Sequence, residues 1–290
     1  MALEIDCVAK DRDQLGECPL WDERAGVLWW VDILAPSLKR FDGNVKTFPL
    51  DESMGSFAFR EKGGFLAAMK SGIFFLDVEK SLRQEISNPE TKLPGNRFND
   101  GRCDRAGRFW SGTMLDSMRE PAGSLYRISA DGRSGAVCER KRTGITVPNS
   151  LAWSPDGRTM YFADSPRRTI WAFDYDGASG EPSNERVFVT TEAGFPDGSC
   201  VDADGCLWNA EYGGWRVVRY TPAGKIDRVI ELQVKNATCC CFGGTNLDVL
   251  YITTATQRLG KEDLEKQPLA GGLLAVRPGV TGLPESRFAG

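Results

Sequence analysis

Residues 148–161 read Pro-Asn-Ser-Leu-Ala-Trp-Ser-Pro-Asp-Gly-Arg-Thr-Met-Tyr, which is an apolar run, a turn signal and a second apolar run. The Pro-Asp-Gly turn favours a tight hairpin because glycine accepts positive φ. An apolar pair like the one that ends this stretch recurs at intervals of 37 to 51 residues, about 44 on average. The six pairs are Leu28-Trp29, Phe65-Leu66, Phe109-Trp110, Met160-Tyr161, Leu207-Trp208 and Leu250-Tyr251. The chain is therefore built from a repeated β unit.

Each apolar pair is followed by another strand-like run, and no long stretch keeps the period of an amphipathic helix. Six repeats of this length predict an all-β fold, a six-bladed β-propeller with four-stranded blades and a central channel. We expect the N-terminal strand to complete the last blade, so that the ring has no open edge. We expect residues 1–290 to form a single domain, since large all-β folds often do.

Four oxygen-bearing side chains occupy the same phase of four repeats. They lie eleven or twelve residues before the second member of the apolar pair, and they are Glu17, Asn99, Asn149 and Asp197. Equivalent positions of a repeat fold converge in space, which would place all four at one mouth of the channel. Any single Asn or Asp could instead satisfy a turn backbone, but that reading does not explain four in phase.

Two carboxylates with amide oxygens are the ligands that a hard divalent cation needs. Glu17, Asn149 and Asp197 make the best metal set, and we expect one divalent ion there. Ca²⁺ is the first choice, with Zn²⁺, Mn²⁺, Mg²⁺ and Fe²⁺ as alternatives, because the sequence does not select the ion. Arg97 lies two residues before Asn99, so in an extended strand both side chains point to one side and suit an oxygen-rich ligand.

The chain of 290 residues contains no histidine. This excludes Ser-His-Asp and Cys-His catalysis and His-ligated zinc. Any hydrolysis must therefore rest on carboxylates, on Lys or Tyr, or on a metal. The net charge of −4 argues against a nucleic-acid partner, which would require a basic face.

No apolar run approaches the roughly 20 residues of a membrane span, and the N-terminal sequence has no signal-peptide pattern. We therefore expect no membrane partner. Nine cysteines, three of them consecutive, do not fit a secreted disulfide framework. They favour reduced thiols and a cytoplasmic protein.

The segments around the four polar residues resemble the gluconolactonase/regucalcin (senescence marker protein) family of sugar lactonases. The resemblance is carried by Leu-Gly-Glu-Cys-Pro-Leu-Trp at 15–21, Asn-Arg-Phe-Asn-Asp-Gly at 96–101, Pro-Asn-Ser-Leu-Ala-Trp-Ser-Pro-Asp-Gly at 148–157, Pro-Asp-Gly-Ser-Cys-Val-Asp-Ala-Asp-Gly-Cys-Leu-Trp at 196–208 and Cys-Phe-Gly-Gly at 241–244. It implies a six-bladed propeller with one catalytic metal on Glu17, Asn149 and Asp197. It also implies that Arg97 and Asn99 contact the substrate. Asp116 is the nearest match to an acidic residue that reaches substrate hydroxyls in the family.

The implied function is hydrolysis of a sugar lactone to the sugar acid. The substrate would be an aldonolactone such as a glucono-, galactono-, arabinono- or xylonolactone. A metal ion would polarise the carbonyl and hold the attacking water, and Asp197 would accept its proton. Two alternatives stay open, a metal-dependent phosphotriesterase or esterase and a non-catalytic propeller that binds calcium or another ligand. We expect a small-molecule lactone as the partner, and a monomer or weak homodimer.

Overall fold

The computed structural model describes residues 3–133 and 135–290. Twenty-four strands in these ranges form six four-stranded antiparallel sheets, which confirms the predicted six-bladed β-propeller. Blade one contains β2 (Gly16–Asp22), β3 (Val27–Asp32), β4 (Ser37–Phe41) and β5 (Val45–Pro49). Blade two contains β6 (Met54–Phe59), β7 (Phe65–Met69), β8 (Gly72–Asp77) and β9 (Leu82–Ser87). Blade three contains β10 (Asn96–Cys103), β11 (Phe109–Leu115), β12 (Gly123–Ala130) and β13 (Ala136–Ile145).

Blade four contains β14 (Pro148–Trp153), β15 (Thr159–Asp164), β16 (Thr169–Asp176) and β17 (Glu181–Thr190). Blade five contains β18 (Phe195–Val201), β19 (Leu207–Tyr212), β20 (Arg216–Tyr220) and β21 (Ile226–Glu231). Blade six contains β22 (Ala237–Gly243), β23 (Val249–Thr254), β24 (Leu273–Val276) and the N-terminal β1 (Ile5–Ala9). A 3-10 turn at Ser165–Arg167 lies between β15 and β16 of blade four. One short α-helix, α1 (Lys261–Lys266), lies between β23 and β24 of blade six.

The ring closes because β1 pairs with β24, with Ile5 opposite Val276. This confirms that the N-terminal strand completes the last blade. The first strands of the blades are innermost, and each contacts the first strands of its two neighbours. Blade six thus contains strands from both ends of the chain, and the pairing of β1 with β24 joins those ends.

The six apolar pairs all lie on the second strand of their blade. Residues of these strands are buried on both faces because each blade packs between two others. Leu28, Trp110 and Leu207 are fully buried. The repeated pair therefore marks the layer that joins adjacent blades, and the polar position before it falls on the inner strand.

The last fourteen residues cross the end of the channel where the inner strands finish. The backbone N–H of Ala203 donates to the carbonyl of Thr281 over 2.9 Å, and that of Phe288 donates to Phe59 over 2.7 Å. The ring of Phe288 is fully buried against blades two and three. We call residues 277–290 the C-terminal strap, which covers the face opposite the start of the inner strands.

In the described ranges, no helix is long and apolar enough to cross a membrane. All nine cysteines are free thiols. Cys239, Cys240 and Cys241 are buried in β22, as expected for cysteines that act as small apolar residues.

Candidate functional site

The four in-phase polar residues come together at the mouth of the channel. Glu17, Asn99, Asn149 and Asp197 lie on the inner strands of blades one, three, four and five, and all four line one cavity of about 390 Å³. Each residue is less than 9% exposed. The four residues that share one phase of the sequence repeat therefore form the polar floor of one cavity.

Each of the four positions lies at an irregularity in strand pairing. The register between first and second strands shifts at Glu17, around Asn99, at Asn149 and around Asp197. Such bulges twist the strand and redirect a side chain. Cys18 and Ser150, which follow Glu17 and Asn149, have φ of 49° and 59°. A left-handed residue is costly without glycine, and such strain is typical of functional sites.

The Asp-Gly pairs at 100–101 and 197–198 are typical turn signals in the sequence, but the structure places them inside strands β10 and β18. A Cβ on Gly198 would lie 2.2 Å from the Sγ of Cys239. Glycine is thus required here because β22 passes close to β18, and it is not required for a turn.

A chain of hydrogen bonds orients the amide residues. Asn99 donates from Nδ2 to Oδ1 of Asn149 over 3.1 Å. Asn149 donates from Nδ2 to Oγ of Ser165 over 2.7 Å, and Ser165 donates to the carbonyl of Pro196 over 2.6 Å. These contacts fix the amide of Asn149 so that its Oδ1 faces away from Ser165, and they connect blades three, four and five.

Arg97 spans the edge of this network. Its Nη1 donates to Oδ1 of Asn99 over 2.8 Å, and its Nε donates to Oδ1 of Asp116 over 2.6 Å. The side chain of Arg97 is buried, whereas that of Asp116 is half exposed. Arg97 and Asn99 therefore lie together, as expected, and Asp116 is held beside them at the solvent side.

The two floor carboxyl groups lie in an environment that disfavours their charge. Burial raises the pKa of Glu17 to about 8, and the charge of Asp100 adds to this. Burial also raises the pKa of Asp197 well above its ordinary value, and the charge of Glu17 adds to this effect. Neither residue forms a salt bridge with a described residue, because Arg97 is directed to Asp116.

This donor set fits a hard divalent cation. Two buried carboxylates without a cationic partner would be stabilised by a bound positive ion, and oxygen donors match Ca²⁺, Mg²⁺ and Mn²⁺. No three Asp, Glu or Cys residues of the described ranges gather as a metal cluster. Asn149 lines the same cavity as Glu17 and Asp197, and its amide Oδ1 is an oxygen donor of the same hard type.

Sequence reasoning missed several residues of the cavity. Met114, Ser165 and Tyr212 line it, and each lies four residues after the second member of its apolar pair. This shared position in the repeat could have identified them, because the second strand of each blade returns to the mouth of the channel there. Met118 and Arg258 also line the cavity from loops outside either phase.

Comparisons with known proteins agree with the fold and the motifs. A sequence profile of the SMP-30/gluconolactonase/LRE-like region matches residues 15–256. The chain is 38% identical to the 6-deoxy-6-sulfogluconolactonase of Pseudomonas putida and 35% identical to regucalcin of Gallus gallus, each over at least 99% of both proteins. The solved structure of a calcium-binding protein, regucalcin, from Agrobacterium tumefaciens superposes with a TM-score of 0.93 at 29% identity and covers 99% of this chain and 98% of that one.

Proposed function

The chain belongs to the SMP-30/gluconolactonase/LRE-like family, and from this premise we propose that it is a metal-dependent sugar lactonase. The observation that supports the proposal most strongly is the cavity floor, where Glu17, Asn149 and Asp197 meet beside Arg97 and Asn99. The relatives support it too, because one of them is a sulfogluconolactonase. We propose an aldonolactone as the substrate, with glucono-, galactono-, arabinono- and xylonolactones as the compounds to compare.

Glu17, Asn149 and Asp197 would hold one divalent ion through their oxygens. When bound, that ion supplies electrophilic activation of the lactone carbonyl and acidifies water. We propose Ca²⁺ first, because a relative of known structure is a calcium-binding protein. Zn²⁺, Mn²⁺, Mg²⁺ and Fe²⁺ are the ions to compare with it.

Asp197 is the proposed general base. It lies on the floor, and no histidine exists to take the role. A bound cation would favour the ionised carboxylate of Asp197, which could then take a proton from the attacking water. The water oxygen would form a bond to the carbonyl carbon, and the bond from that carbon to the ring oxygen would break. The ring oxygen would take up the proton and leave as a hydroxyl, which gives the open sugar acid.

Arg97 and Asn99 are proposed to position the lactone. The guanidinium is fixed by Asn99 and Asp116, so it meets the substrate with little loss of side-chain entropy. Asn99 shares its amide between Arg97 and Asn149, which couples the substrate side to the metal side. Asp116 is half exposed and can accept hydrogen bonds from ring hydroxyls.

The experiment that tests this function is acid release in a pH-stat from the four aldonolactones, with a neutral aryl ester and a phosphotriester beside them. Each is measured after EDTA treatment and again after addition of each metal ion. We expect lactone hydrolysis that disappears in verified metal-free protein and returns with metal. Faster turnover of the phosphotriester or the aryl ester would favour the esterase alternative. Metal binding without any hydrolysis would favour a binding propeller.

We also propose that the protein works in the cytoplasm as a monomer or weak homodimer. The nine free thiols support a reducing compartment. The shared last blade supports a ring that needs no second chain to close.

A further inference from the structure

The cavity has a second guanidinium, and it differs from Arg97 in its partners. Arg258 lines the cavity at its solvent edge. Its Nη2 donates to Sδ of Met118 over 3.4 Å, and a thioether is a weak acceptor. No carboxylate of the described residues forms a salt bridge with Arg258, whereas Arg97 is bonded to Asp116, Asn99 and the carbonyl of Phe98.

The backbone that carries Arg258 is firmly held. The carbonyl of Gln257 accepts from Oη of Tyr212 over 3.1 Å and from Nδ2 of Asn236 over 2.9 Å. The N–H of Gln257 donates to the carbonyl of Gln14 over 2.9 Å. Arg258 itself has a φ of 61°, which costs a residue with a Cβ about 1–2 kcal/mol. The fold thus maintains an unfavourable backbone conformation at a cation that lines the cavity.

Arg258 lines the same cavity as Glu17 and Asp197. Burial raises the pKa of the Tyr212 hydroxyl to about 12; the charge of Arg258 opposes this effect, whereas those of Asp197 and Glu17 add to it. The charges of Arg258, Asp197 and Glu17 therefore all act on the hydroxyl of Tyr212, and all four residues line the one cavity. A substrate that reaches the floor from solvent passes within the field of the guanidinium.

The charged side chains that line the cavity are those of Glu17, Arg97, Asp197 and Arg258, and among the described residues no carboxylate pairs with Arg258. Arg97 and Asp116 offset each other. A divalent ion on Glu17 and Asp197 would be offset by those two carboxylates. One positive charge then remains at the solvent edge, where a guanidinium binds planar or tetrahedral oxyanions through two N–H groups at once.

We propose that the substrate of this site is an aldonolactone whose far end carries an anionic group, a sulfonate, phosphate or carboxylate, and that Arg258 binds this group. The inference rests on the proposed lactonase function and names its substrate class. The lactone carbonyl lies at the floor and the anion lies at the solvent edge, so the molecule spans the cavity. A volume of about 390 Å³ is at the lower end of the roughly 300–1,000 Å³ of small-molecule sites, which suits one substituted sugar ring.

The test compares gluconolactone with three matched lactones in which a sulfonate, a phosphate or a carboxylate replaces the terminal hydroxyl. The metal-loaded wild-type protein, Arg258→Gln and Arg258→Lys are measured for kcat and KM on each. The matched control is Arg167→Gln, which removes an exposed cation on the same face whose guanidinium stacks over Trp171. Thermal unfolding of every variant checks the fold.

We expect the wild type to prefer at least one anionic lactone, with the preference in KM. Arg258→Gln should lower the anionic-to-neutral ratio of kcat/KM about 10–100-fold, as loss of a charged hydrogen bond does. Arg258→Lys should lower it less, and Arg167→Gln should keep it. The lactone with the highest anionic-to-neutral ratio of kcat/KM identifies which of the three anionic groups Arg258 binds.

Hydrolysis of gluconolactone without any preference for an anionic lactone would overturn this inference and leave the lactonase proposal standing. An unchanged ratio in a folded Arg258→Gln protein would do the same. Absence of hydrolysis of all four lactones by the metal-loaded wild type would overturn both proposals.

Discussion

Asn99 and Asn149 are joined by a 3.1 Å hydrogen bond from Nδ2 to Oδ1 between the inner strands of blades three and four. This bond connects the residue proposed to face the substrate with the residue proposed to ligate the metal. It leaves the second lone pair of Asn149 Oδ1 for a cation. The contacts that orient the amide thus become a means to test the metal site without removing a ligand.

Ser165→Ala should weaken metal binding while the ligands remain. Its hydroxyl accepts from Asn149 and donates to Pro196, so its loss frees the Asn149 amide to rotate. Loss of such an orienting partner typically costs about 10–100-fold in metal affinity. Isothermal titration with Ca²⁺ and Mn²⁺ measures the change. Ser154→Ala removes a serine hydroxyl that bonds Asp156 in an exposed turn and should bind metal like the wild type. Equal affinities in both variants would contradict the proposed role of Asn149.

Asp116→Asn should affect substrate binding more than metal binding. The carboxylate holds Nε of Arg97, but it is half exposed, so water screens part of the interaction. We expect KM for the preferred lactone to rise by up to about tenfold, the size of a modest charged hydrogen bond. Metal affinity should stay unchanged. Glu120→Gln in the same exposed loop is the control, and a KM of Asp116→Asn equal to that of the control would argue against a substrate role for Asp116.

Glu17→Gln should stabilise the metal-free protein at high pH. The pKa of Glu17 is about 8 in the fold and 4.5 ordinarily, so the folded state holds the proton more tightly than the unfolded state. Stability of the metal-free wild type should therefore fall as the pH rises from about 4.5 to about 8. The variant lacks this titration, and its unfolding temperature in EDTA should fall less across that window. Glu192→Gln, an exposed control, should follow the wild type. A variant that is less stable than the wild type at pH 8 in EDTA would contradict the prediction.

Phe288→Ala should destabilise the ring without touching the cavity. Its ring is fully buried in the cluster that joins blades two and three, and removal of such a side chain costs about 3–5 kcal/mol. Denaturant unfolding measures the loss. Val187→Ala, at a side chain that is 63% exposed, should change stability by less than about 0.5 kcal/mol. A small effect of Phe288→Ala would mean that the C-terminal strap adds little to the fold.

The number of blades was predictable because each blade carries one buried apolar pair where it packs against its neighbours. The convergence of Glu17, Asn149 and Asp197 was predictable for the same reason, since one phase of a repeat maps to one radius of the ring. Their local geometry was not predictable. The left-handed conformations of Cys18 and Ser150 lie at shifts in strand register, which sequence spacing does not encode.

Arg258 and the C-terminal strap were beyond prediction for a related reason. Arg258 lies in a loop outside the repeat. Its position depends on the hydrogen bonds that Tyr212 and Asn236 donate to the carbonyl of the preceding residue, Gln257. The strap reaches blades two, three and five through backbone contacts that leave no periodic signal. Asp100 precedes a glycine, which in a sequence is typical of a turn, but it is buried in β10 and its carboxylate accepts the N–H of Leu151 over 3.0 Å.

The most direct test of the account is the rate of lactone hydrolysis by Asp197→Ala in saturating metal. Asp197 is proposed both to ligate the ion and to accept the proton of the attacking water, so its loss should lower kcat/KM by at least about 1,000-fold. Asp156→Ala, at an exposed turn outside the cavity lining, is the matched control and should keep wild-type turnover. A folded Asp197→Ala protein that hydrolyses its preferred lactone at a rate close to that of the wild type would contradict the account.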